Sequence, residues 1–152
     1  MPRETSGSAL RRHFGGQSGS SIVEFALMLP WMAFLFAGAL DWGFYSYALI
    51  SAQNAARVAV QYTSQSTAHS TDAATACSYA LSELQGVPNI GTTVTTCAAL
   101  PLIVTATSIT GPDSVPAAKV TVTYQTVQLV PIPALLAGRF TIVINAVMRV
   151  NG

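Results

Sequence analysis

The stretch Gly19-Ser-Ser-Ile-Val-Glu24 is where residue types and their spacing best suggest chemistry. A polar leader carrying Arg3, Arg11 and Arg12 against a single Glu4 ends at Gly19, and an apolar run starts two residues after Ser20. A cut of the Gly19–Ser20 peptide bond would make Ser20 the new N-terminus and Glu24 the fifth residue of the mature chain. Glycine before the bond lets the backbone lie extended in a protease cleft, with no Cβ in the way. Glu24 is costly in lipid, where an aspartate at a helix centre costs roughly 2.5–3.5 kcal/mol on the insertion scale. Among packed copies its carboxylate could meet the α-amino group freed on a neighbouring Ser20, which would offset desolvation and fix the stagger between them. The plainer alternative is a carboxylate that sits beside the lipid head groups.

Nothing else in the chain reads as a catalytic constellation. Beyond the apolar run the acids are Asp72, Glu83 and Asp113, and the histidines of the chain are His13 and His69. No nucleophile-elbow motif supports a Ser–His–Asp arrangement, and there is no Gly-rich phosphate loop or metal-spaced His/Cys set. No catalytic residue, metal, cofactor or small-molecule substrate is therefore expected.

The element that must position Glu24 is a membrane span. From Ile22 to Ile50 the only ionisable acids or bases are Glu24 and Asp41. Phe25 to Leu40 covers roughly 24 Å as a helix, and its apolar neighbours extend that to the roughly 30 Å hydrocarbon core. The basic leader and the aromatic cluster Trp42, Phe44, Tyr45 and Tyr47 orient the span with its N-terminus in the cytoplasm and residues after about 50 outside. The run is longer than the about 7–15 residues of a secretory h-region, which disfavours conventional signal-peptidase cleavage.

Composition agrees with a membrane, envelope or assembly component. Of 152 residues 51% are hydrophobic and 9% charged, with a net charge of +1, against a usual charged share of about a quarter. Such a chain is too apolar for disorder and lacks the basic face of a nucleic-acid binder.

Pro30 removes one backbone bond, to the Ala26 carbonyl, and is expected to kink the helix. Gly38, with Ala37 and Ala39, makes a small-residue patch that is explained equally by ordinary membrane-helix composition. Asp41 reads as a solvated carboxylate without a special role. Beyond it Ala52, Ala55, Ala56, Ala59 and Tyr62 repeat at helical spacing and predict a small face that packs on a sheet, in one helix from about Ser20 to Tyr62. Arg57 is placed to partner a carboxylate.

Thr63 to Thr71 reads as a surface loop. Thr71 or Asp72 should cap a short helix, Ala73 to Gln85, stopped by Gly86 and Pro88, with Ala74, Cys77, Leu81 and Leu84 inward. Alternation then predicts strands at Thr92–Ala98, Leu102–Ile109, Lys119–Val127 and Arg139–Val150. In the third, Val120, Val122 and Tyr124 face the core while Thr121, Thr123 and Gln125 face away. The apolar segment Val130–Ala137 is either a contact surface or a loop folded on the core. Cys77 and Cys97 lie on the oxidising side of the inferred membrane. A bridge between them would close a loop of about 20 residues and contribute about 3 kcal/mol in the chain-entropy model, the alternative being two free buried thiols.

The leader, Gly19-Ser-Ser-Ile-Val-Glu-Phe25 and the following span resemble the processing site of type IV prepilins. More narrowly, Gly16 to Tyr62 resembles the TadE-like family of minor, pilin-like proteins of the tight-adherence (Tad) pilus system. The resemblance rests on the opening that runs to Pro30 and on Gln53-Asn-Ala-Ala-Arg57, with a weaker echo in Ile144-Asn-Ala-Val-Met-Arg-Val150. Phe25 departs from the family pattern, where a tyrosine is frequent after the glutamate. The resemblance implies an α+β, type IV pilin-like fold: a long N-terminal transmembrane helix plus a short helix packed on a three- or four-stranded antiparallel sheet. It implies a cleaved basic leader (1–19), a membrane part (20–50) and an extracytoplasmic domain (51–152). It also implies a bacterial inner-membrane, single-pass pseudopilin whose partners are the membrane, a prepilin peptidase and other pilin-like subunits and pilus assembly proteins. The competing expectation is an uncleaved single-pass anchor whose exported domain binds a protein or a surface.

Overall fold

The computed structural model describes residues 18–91, 93–127 and 139–151. The basic leader with Arg3, Arg11 and Arg12, the start of the expected strand at Thr92, and the apolar Val130–Ala137 segment lie outside the described residues. The chain divides into two compact units, Met1–Ala37 and Gly38–Gly152.

In the first unit the described residues belong to helix α1 (Ser18–Thr63), which contains Pro30 without interruption. A proline inside a helix is tolerated where its lost bond can be compensated, as in membrane helices. Every side chain from Ser21 to Phe36 is exposed. Among the described residues, α1 is the one helix long and apolar enough to cross a membrane.

In the second unit, α1 continues into the core through Ala48, Ala52, Ala55, Ala56, Ala59 and Val60, all buried. Ala52, Ala55, Ala56 and Ala59 are the seam expected from spacing, Ala48 and Val60 extend it, and Tyr62, expected with them, is half-buried. Small side chains let a helix backbone approach closely, and the seam joins one apolar cluster with Val120, Val122 and Tyr124. The segment after α1 is less superficial than its Ser/Thr content suggests. Thr63, Ser64 and Ser70 are buried. Their hydroxyls donate to the carbonyls of Val60, Gln61 and Thr67, which removes the penalty of burying them.

Helix α2 (Ala73–Leu84) starts where the Asp72 carboxylate accepts from the Thr75 N–H at 3.0 Å. Its buried face is Ala76, Ala80 and Leu84, with Cys77 and Leu81 half-buried; Ala74, expected inward, is exposed. Ala76, Ala80 and Leu84 form one stripe that packs on β2, and Ala74, two residues before Ala76, falls on the far side of the helix from it. Just past α2, a Cβ on Gly86 would fall 2.8 Å from the Tyr47 hydroxyl, the tip of an exposed side chain that a small swing would clear.

The sheet has four antiparallel strands in the order β1-β2-β3-β4, namely β1 (Ala98–Ala99), β2 (Leu102–Thr110), β3 (Pro116–Gln125) and β4 (Thr141–Arg149). The three long strands fall where alternation places them. Val120, Val122 and Tyr124 are buried, while Thr121, Thr123 and Gln125 are half-exposed. The expected strand Thr92–Ala98 is overturned, since of its described residues only Ala98 is in a strand. The reason is local. Ile90 anchors a turn that accepts from the Thr93 and Val94 N–H groups, and Cys97 is tied to α2, so little chain is left to extend along β2. Gly111–Asp113 forms the β2–β3 turn, as expected, with the Val115 N–H donating to the Asp113 carboxylate.

Candidate functional site

Gly19 and Ser20 lie in the first turn of α1, so the bond between them is helical. Glu24 follows one turn later. It is exposed, and among the described residues it forms no ion pair or side-chain hydrogen bond. Its surroundings are apolar and equally open: Ile22 is 71%, Phe25 63% and Trp31 70% exposed. A lone carboxylate on an apolar helix is expensive in lipid and inexpensive beside a cation. Pro30 lies on the same exposed stretch. The structure thus places Gly19, Ser20, Glu24 and Pro30 along one helix, and Cys77 and Cys97 in the other unit.

Cys77 and Cys97 are joined as a disulfide, their Cα atoms 5.8 Å apart. The bridge links α2 to the residue that precedes β1. Arg57, expected to partner a carboxylate, is exposed and unpaired among the described residues. The ion pair found there is instead Arg149–Asp113 at 3.5 Å, between exposed side chains at the β2–β3 turn and the end of β4. A pair so exposed contributes little.

Two features were missed by sequence reasoning. The first is an aromatic stack: the ring of His69 lies 4.8 Å from that of Tyr62, which lies 5.2 Å from that of Tyr79. The Tyr62 hydroxyl donates to the Asp72 carboxylate at 3.1 Å. Hydrogen bonds from Thr75, first through its backbone and then its side chain, with a smaller share from Tyr62, hold the Asp72 carboxyl below its usual range. The partners of His69 become visible only when α1 and α2 are brought together. The second feature is a cavity of about 280 Å³ whose walls include Asp41, Tyr45, Tyr124 and Phe140. Asp41, expected to be solvated, is half-buried at this apolar cavity. Tyr124 contributes a buried wall and donates its hydroxyl to the Pro88 carbonyl at 2.6 Å.

Among the described residues no cluster of three or more His, Cys, Asp or Glu side chains could hold a metal ion. Residues 19–61 match the family described as TadE-like protein. The match starts at the glycine of the candidate cleavage site and ends near the last turn of α1, so it covers the apolar helix and the alanine seam. No curated protein matches the chain, and no solved structure does.

Proposed function

We infer that the chain is a minor pilin-like subunit of a tight-adherence pilus, processed between Gly19 and Ser20 and assembled through the N-terminal part of α1. The observation that carries this reading is the coincidence of three things on residues 19–61. These are the TadE-like match, an apolar helical stretch, Ser21 to Phe36, whose side chains are all exposed among the described residues, and a Glu24 carboxylate that is unpaired among those residues. A helix that is apolar all round is stable only in lipid or against other helices. Glu24 adds a reason for preferring one stagger of neighbouring helices, because its charge is best neutralised by the amino group of Ser20 on an adjacent subunit. The membrane, a prepilin peptidase and sibling pilin-like subunits are the partners this reading requires. The leader stays cytoplasmic and the disulfide-bonded unit lies outside the inner membrane. No step in this role calls for a catalytic group or a cofactor.

The test is the mass of the protein isolated from the membrane fraction of cells with and without the leader peptidase. The expected mature N-terminus is Ser20, present only with the peptidase, and Gly19→Ala should leave the chain uncut. An intact N-terminus in peptidase-positive cells would instead establish an uncleaved single-pass anchor.

A further inference from the structure

The cavity beside Asp41 lies wholly within the second unit and has no part in the assembly reading. Its chemistry is unusual in combining aromatic walls with one carboxylate. Trp42 and Tyr45 meet edge to face at 6.0 Å, and Tyr45 meets Phe140 edge to face at 5.7 Å. Trp42 and Phe140 leave 67% and 53% of their surface open. Asp41 is half-buried and, among the described residues, has no ion pair or hydrogen bond. Arg139, adjacent to Phe140 in sequence, is exposed and does not pair with it. A carboxylate against aromatic walls is the arrangement that recognises an organic ammonium ion: the acid supplies the counter-charge and the ring faces supply cation–π attraction.

The position along α1 narrows the source of that cation. Asp41 directly follows the apolar run Phe25–Leu40, and the cavity residues Asp41 to Ala48 cover about 10 Å of helix. The head-group layer into which a membrane helix emerges is about 5–8 Å deep, so Asp41 and the first turn after it fall within that layer. Trp and Tyr are favoured at that depth because each presents an apolar body and a polar tip. We propose that the cavity binds the ammonium head group of a phospholipid in the leaflet from which α1 emerges, with the cation held by Asp41 against Trp42, Tyr45 and Phe140. An anionic glycerol head group lacks the cation and brings a negative charge toward Asp41, so the site selects against it. The inference rests on the membrane placement of α1 but not on processing or assembly, since every residue involved lies beyond the leader.

The full-length chain is reconstituted into nanodiscs of equimolar dioleoyl phosphatidylethanolamine and dioleoyl phosphatidylglycerol, and the lipids it retains on ejection are weighed by native mass spectrometry. One retained phosphatidylethanolamine is expected, enriched about fivefold over phosphatidylglycerol. Asp41→Asn, which preserves shape, should abolish the enrichment. Tyr45→Leu and Phe140→Leu should weaken it, and Lys119→Gln on β3 should leave it unchanged. A cooperative thermal melt like that of the parent verifies folding of each variant. Equal retention of both lipids, retention of neither, or undiminished enrichment in Asp41→Asn would overturn the proposal. Co-flotation with vesicles separates the premises: a chain that does not float refutes both the membrane placement and the site, whereas one that floats without enrichment refutes the site alone.

Discussion

The hydroxyl of Tyr124 on β3 donates to the carbonyl of Pro88 at 2.6 Å, fastening the middle of the sheet to the segment that follows α2. Burial pushes the Tyr124 phenol from 10.0 up to about 12. The unfolded chain releases this proton first, so stability is fully present below about pH 10 and falls as pH rises toward 12. Tyr124→Phe should cost about 1 kcal/mol at neutral pH through the lost hydrogen bond. The same variant should lose less stability than the parent between pH 10 and 12. Denaturation of the detergent-solubilised chain across that range measures both effects, and parallel alkaline profiles would contradict the assignment.

Glu24→Ala should leave cleavage after Gly19 largely intact but impair assembly. The lesion belongs to subunit packing, because Glu24 has no partner within the described chain. Comparing processed protein in the membrane with protein recovered in sheared filaments separates the two steps. Normal incorporation of the alanine variant would remove the carboxylate from any role in registry.

Ala56 on α1 has no exposed surface, whereas Ala74 on α2 is exposed. Replacing Ala56 by leucine forces the helix off the core and should cost about 1–3 kcal/mol. The same replacement at Ala74 should change stability by less than about 0.5 kcal/mol. A thermal or denaturant melt of each variant decides the point, and equal effects would mean that the seam is not tightly packed.

The Cys77–Cys97 bridge closes a loop of sequence separation 20. Its removal by Cys77→Ser together with Cys97→Ser should lower stability by about 3 kcal/mol in the chain-entropy model. Alkylation without reductant should add no mass to the native protein. Labelling of both cysteines under those conditions would show that the bond is not formed in the cell.

Much of this architecture was legible because its patterns are local. The apolar run, the alanine spacing, the Asp72 cap and the strict alternation of β3 each report the environment of their own element. What escaped depended on pairings distant in sequence. Ala76 and Ala80 outrank Ala74 because of where β2 lies, and no periodicity within α2 says so. Thr93–Cys97 has strand-like composition, yet a turn at Ile90 and the bridge at Cys97 claim its backbone. The Asp41 cavity joins α1 to Phe140, almost a hundred positions away, so the acid looked merely solvated. At the candidate cleavage site, by contrast, Gly19, Glu24 and the span lie in one short stretch of sequence, so the motif needs no distant pairing to be seen, and its cleavage remains the proposal that the mass measurement tests.

The helical start of α1 has a bearing on access to the Gly19–Ser20 bond. Proteases grip substrates as stretched ribbons, whereas this linkage lies in helical backbone, so on the proposed reading it has to uncoil before it can be cut. The substrate's own fraying, as much as the enzyme's catalytic power, would then set how fast new subunits mature.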